Sequence, residues 1–128
     1  MATLPWALTG SEVDPCCCDP DCISPPGPIQ DIYTVHYIQY DWDHDPVDLE
    51  RISPCEWYAY VEEYDWRGNY HTFTYRLYYA WGFGGWWGYV EHSPDPGLST
   101  FWKAGVDPVG IYNTVPGSSD GETFEVLP

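Results

Sequence analysis

The sequence predicts an all-β fold, an antiparallel β-sandwich or barrel-like domain of about seven short strands. Three observations predict it. Residues 55–92 alternate with period two between apolar and mixed side chains, and glycine and proline clusters punctuate the chain between its apolar runs. No stretch carries the spacing of an amphipathic helix or a heptad repeat. At 128 residues the chain is one domain, long enough to bury roughly two-thirds of its unfolded surface without staples.

In chain order, residues 1–28 read as an extended arm rich in proline and cysteine. Pro5, Pro15, Pro20, Pro25, Pro26 and Pro28 forbid a useful helix and remove ladder donors. Residues 29–128 form the all-β domain. Residues 29–42 are rich in β-branched and aromatic side chains and predict a strand. Neither of its faces, Ile32/Thr34/His36/Ile38/Tyr40 or Tyr33/Val35/Tyr37, is clearly polar, so the strand is expected to be central and covered on both sides. Residues 43–54 read as an acidic loop with at most one helical turn over 47–51.

Residues 55–92 then predict a three-stranded meander. The connection Asp65-Trp66-Arg67-Gly68-Asn69 offers Gly68 for a positive φ, and it sets Tyr64 opposite Tyr70. Val61 then faces Phe73, Ala59 faces Tyr75 and Trp57 faces Leu77. A slip of one residue would mix this apolar set with the other face, so the pattern itself selects the register. The second connection, Gly82-Phe83-Gly84-Gly85, sets Trp81 opposite Trp86, Tyr79 opposite Gly88 and Leu77 opposite Val90. Both hairpins agree on which side of the middle strand is core. Beyond a turn at 93–97, a strand is expected over 98–103, and 109–115 with 123–127 form a terminal hairpin.

The outer face of this meander presents Tyr58, Tyr60, Tyr78, Trp87 and Tyr89, with Arg76 among Glu56, Glu62 and Glu91. A one-sided sheet ordinarily shows polar residues there, and contiguous aromatic area marks an interaction surface. Tyr and Trp suit one because each has an apolar body and a hydrogen-bonding tip. Trp66 and Phe83, at the two loop tips, complete the set, whereas parity turns Trp81 and Trp86 toward the core. Two covers are open for this face: another part of the same chain, or a neighbour.

Charge narrows the function. Twenty acidic residues against four basic ones (Arg51, Arg67, Arg76, Lys103) give a net charge of −16. No basic stripe exists to neutralise phosphates, so nucleic acid is not an expected partner. The same field repels anionic membranes and favours cationic partners such as metal ions or basic protein patches. No apolar run approaches the roughly 18 residues that span a bilayer, so membrane insertion is not expected. The first residues lack the basic and apolar regions of a secretory signal, which implies cytoplasmic synthesis.

Candidate sites follow from residue type. Cys16, Cys17, Cys18 and Cys22 cluster in the arm and Cys55 opens the meander. They are candidates for a disulfide to Cys55, for an all-thiolate zinc site, or for reduced structural thiols. Asp41, Asp43, Asp45 and Asp48 offer a loose calcium site against the plainer reading of a solvated loop. It is not an EF-hand, because Pro46 stands where glycine is required and Ile52 where the bidentate glutamate belongs. His36, His44, His71 and His92 are scattered along the chain, and His71 is expected to face Glu63 as a surface pair. No G-x-S-x-G elbow or HExxH pair appears.

These observations point to a non-enzymatic structural or interaction subunit of a larger assembly. A virion decoration or tail component, or a surface-assembly subunit, would fit. Such a subunit would dock on protein partners or copies of itself through the aromatic face and the arm. The alternatives are a carbohydrate-binding β-sandwich using exposed Trp and Tyr, and a small zinc protein ligated by cysteine.

Overall fold

The structure, a computed structural model, describes residues 23–94, 97–115, 117 and 121–128. It is all-β and antiparallel. The strands are β1 (Ile32–Gln39), β2 (Trp42–Asp43), β3 (Val47–Ser53), β4 (Glu56–Tyr64) and β5 (Tyr70–Ala80). They continue with β6 (Gly85–Ser93), β7 (Gly97–Ala104), β8 (Gly110–Ile111), β9 (Asn113–Thr114) and β10 (Glu122–Val126).

Spatial order runs β9-β7-β6-β5-β4-β3-β1-β10-β8, with β2 also paired to β1. The two ends of this order are neighbours in the chain. Only Tyr112 separates β8, which pairs with β10, from β9, which pairs with β7. One short segment therefore bridges both edges and curls the sheet into a nearly closed barrel, which removes most free edge. Tyr112 itself points inward, 3% exposed, and its hydroxyl donates to Pro108 O at 2.8 Å.

The first hairpin has the expected register, Tyr64 opposite Tyr70 through Glu56 opposite Tyr78. Its loop explains why. Asp65 Oδ1 accepts the backbone N–H groups of Arg67 and Asn69 at 2.9 Å each, and Gly68 takes φ +84°. The second hairpin is displaced by two residues from the expected pairing. Ala80 faces Gly85 and Tyr79 faces Trp86, so the turn is 81–84. Ala80 O accepts the N–H groups of both Phe83 (3.1 Å) and Gly84 (2.8 Å), a closure open to Gly84 at φ +74°. An even displacement keeps every face, so the core side is as expected. Trp81 is the exception: it stands in the turn, 49% exposed, and donates from Nε1 to Ile23 O.

Two further expectations are corrected. Residues 47–53 are a strand, not loop or helix, because Val47, Leu49 and Arg51 alternate with Asp48, Glu50 and Ile52, and the former side turns inward. Only one face of β1 is buried. Tyr33, Val35 and Tyr37 lie in the core, while Ile32 on the other side is 48% exposed.

Aromatic rings fill most of the barrel interior, with Val35, Leu49, Leu77, Val90 and Val126 among them. At one end Trp57 and Trp86 lie 5.4 Å apart with Tyr33 and Tyr79 against them. Residues 23–31 run across that end, where Gln30 O accepts Trp57 Nε1–H and Pro25 is buried. At the waist, Phe101 stacks on Phe124 at 4.9 Å. Gly88 is required there, since a Cβ on it would meet Phe124 Cε1 at 2.5 Å.

Candidate functional site

The opposite end of the barrel is polar. Gln39 ends β1, Tyr40 and Asp41 make the turn, Trp42 lies in β2 and His44 follows it. The β4–β5 loop brings Asp65 and Trp66, while His71 comes from β5 and His92 from β6. Several of these side chains line a cavity of about 470 Å³ that opens at the barrel mouth.

Three of the four histidines join one hydrogen-bonded chain. His71 Nε2 lies 2.9 Å from Asp65 Oδ2, and His71 Nδ1 lies 2.8 Å from His92 Nε2. His92 Nδ1 is 3.1 Å from Gln39 Nε2, Gln39 Oε1 is 3.5 Å from His44 Nε2, and His44 Nδ1 is 3.1 Å from Glu63 Oε2. A carboxylate only accepts, so His71 donates to Asp65 from Nε2. In the neutral ring its Nδ1 then accepts from His92 Nε2–H, and His92 Nδ1 accepts from the Gln39 amide. From Gln39 onward the donors point in one direction, toward Asp65, whereas His44 donates the other way, from Nδ1 to Glu63, so its Nε2 bonds Gln39 Oε1 only when the ring is protonated.

The rings in this chain are held rigidly. His44 is 2% exposed, stacked on Trp42 at 4.4 Å and parallel to Tyr37 at 5.3 Å. His92 is stacked on Phe73 at 4.3 Å. The hydrogen bond from His71, joined by the Asn69 N–H, holds the Asp65 carboxyl down at a pKa of about 2. Deeper in the same half, Tyr37 donates to Glu122 Oε1 at 2.8 Å, and burial, with that bond, pushes its phenol well above the usual tyrosine range.

The rim is aromatic. Trp66 (87%), Tyr64 (70%) and Tyr40 (67%) are the three most exposed aromatic side chains among the described residues. Tyr40 takes φ +56°, a left-handed conformation that costs a non-glycine residue of order 1–3 kcal/mol. Gly121 lies directly beneath it: a Cβ there would meet the Tyr40 ring at 3.2 Å.

The expected aromatic surface occupies a different place, the outside of β4 to β7. Tyr78 and Tyr89 are stacked at 5.7 Å with hydroxyls 3.2 Å apart, and Tyr89 is near-parallel to Trp87 at 6.5 Å. Phe83, 44% exposed, packs on Trp87 at 5.1 Å and on Trp102 at 5.8 Å. Arg76 lies over Tyr58 at 5.1 Å and pairs with Glu56 at 3.1 Å. Tyr60 is 52% exposed on the same side. Trp66 belongs to the mouth, not to this row.

The other candidates separate. Cys55 is disulfide-bonded and buried, while Cys16, Cys17, Cys18 and Cys22 lie outside the described residues. Asp43 pairs with His36, Asp48 accepts from Thr34 Oγ1 at 2.7 Å, Asp41 lines the mouth and Asp45 is exposed. Among the described residues no group of three or more His, Cys, Asp or Glu side chains is arranged to hold a metal ion. No helix among them is long and apolar enough to cross a membrane.

His71 corrects the expectation of a surface pair with Glu63. The two are register partners, but the ring bonds Asp65 and His92 while Glu63 turns to His44. The histidine chain was hidden by the displaced second hairpin. The expected pairing sets His92 opposite Tyr75, four residues from His71. The observed pairing sets it opposite Phe73, only two residues away and close enough for the rings to meet.

No family model matches this chain, and neither a curated protein nor a solved structure matches it.

Proposed function

We propose that this chain is a non-enzymatic interaction domain, a structural subunit of a larger assembly. In this reading it docks through the outer aromatic row onto a protein partner with a basic surface. One observation carries it: Phe83, Trp87, Tyr89 and Trp102 form a contiguous set of rings on the outside of a barrel already filled by other rings. Arginine side chains stack on such faces, and a net charge of −16 draws a basic partner while opposing contact between copies.

A photo-crosslinking residue at Phe83, introduced in the native source, tests this. The expected product is one discrete adduct whose mapped site is rich in Arg or Lys, and no such adduct from Ile32 on another side of the barrel. A chain that stays a monomer and gives no discrete adduct from Phe83 would sink the reading. A carbohydrate-binding reading is favoured by the near-parallel Trp87 and Tyr89 rings, on which sugar faces stack. It requires tryptophan quenching by oligosaccharides that disappears in Trp87→Ala.

A further inference from the structure

We infer that the barrel mouth is a binding site for an organic cation, an alkylammonium group caged by Tyr40, Trp42, Tyr64 and Trp66 with Asp41 and Asp65 supplying the countercharge. This site is separate from the outer row and does not depend on it.

Size is the first argument. A cavity of about 470 Å³ falls within the roughly 300–1,000 Å³ of small-ligand sites, which occur in the mouths of β-barrels. The sign of its lining is the second. Asp41 and Asp65 line it, and none of Arg51, Arg67, Arg76 or Lys103 does. Asp65 stays ionised through neutral pH because His71 and the loop N–H groups hold its carboxylate. In a chain of net charge −16, this opening attracts cations and excludes anions.

Hydrogen-bonding capacity then separates a cation from a sugar. A saccharide needs donors and acceptors aimed at its hydroxyls. Here Gln39, His71, His92 and Asp65 are engaged with one another and with the loop backbone. Besides the phenol and indole tips of the rim, what remains is ring faces and carboxylate charge, and these are what a quaternary or primary ammonium recognises, at about 6 Å or less from a ring centroid.

Two details fit this reading. Trp66 already carries a cation, the Arg67 guanidinium, 4.6 Å from its ring centroid. Tyr40 is kept in a strained backbone conformation at the lip, and strain of this kind concentrates at ligand clamps.

The ammonium can come from a free small molecule or from a lysine side chain of a protein, and one titration series distinguishes them. Choline, its uncharged isostere with tert-butyl in place of trimethylammonium, and an Nα-acetyl-lysine amide with its ε-ammonium free are titrated calorimetrically into the full chain. Saturable choline binding, about tenfold or more tighter than the isostere and weakened by salt, is expected. The acetyl-lysine amide binding more tightly than choline would assign the site to a protein lysine, and the reverse order to a free ligand.

Trp66→Ala and Tyr64→Ala, both at exposed positions, should each weaken choline binding several-fold with far-UV circular dichroism unchanged. Arg67→Ala should strengthen it, because a competing cation is removed. Equal affinity for choline and its isostere, binding of a disaccharide but not of choline, or no saturation by any ammonium probe would each overturn the inference.

Discussion

The two ends of this barrel are built from the same kinds of ring and do opposite things with them. At the sealed end Tyr33, Trp57, Tyr79 and Trp86 close on one another, and the indole N–H groups of Trp57 and Trp86 donate to Gln30 O and Val106 O. The Tyr33 hydroxyl likewise accepts from Gln30 N–H, so three of these four rings turn their polar tips to backbone and pack through their apolar bodies. At the mouth, Trp42 and Phe73 instead serve as walls for His44, His71 and His92. Buried polar groups contribute little net stability and are costly when one partner is lost. The contrast is between an end where rings pack against rings and one where rings enclose hydrogen-bonded polar groups.

The strongest way to break this contrast is Trp86→Ala. It removes a fully buried indole and should cost about 3–5 kcal/mol, read as a lowered urea midpoint. Next is Gly88→Ala at the waist, where the new methyl drives into Phe124 and should cost about 1–3 kcal/mol. At the mouth, Gln39→Leu removes the amide N–H that His92 Nδ1 accepts. It should cost about 1–3 kcal/mol, with the histidine ring signals in NMR moving together rather than singly.

Acid sharpens the comparison further. The Asp65 carboxyl titrates at about 2 in the folded chain against about 3.9 when unfolded. Its contribution to stability is therefore complete above about pH 4 and is lost as pH falls toward 2. Urea midpoints across that range should drop for the wild type, with a smaller drop in Asp65→Asn. Equal slopes for the two proteins would remove Asp65 from the account. The smallest expected stability effect is that of Trp66→Ala, within about 0.5 kcal/mol, although it removes one wall of the cage. A large loss there would show that the mouth, too, holds the fold together.

Much of the architecture is legible in the sequence. The period-two pattern of residues 56–80 identifies the buried face of β4 and β5, and the Asp65–Asn69 loop specifies their register because its hydrogen bonds are local. The outer positions of Tyr58, Tyr60, Tyr78, Trp87 and Tyr89 follow from the same parity. The strand at 47–53 was also written in the chain, as Val47-Asp48-Leu49-Glu50, but its acidic neighbours disguised it as loop. Trp102 joins the outer row from β7, opposite Trp87, and no local pattern ties those two positions together.

By itself, then, the chain determined its class, the inward face of the central hairpin and that hairpin's register, all of which depend on neighbours close in sequence. Only the tertiary structure decided that residues 110–114 bridge both edges of the sheet and that Ala80 rather than Trp81 begins the second turn. It alone decided that His44, His71 and His92 meet at one mouth. The bridge and the mouth rest on pairings between distant segments, and the second turn, though local, differs from the expected one by a two-residue change of register that preserves every face and leaves the hydrophobic pattern silent.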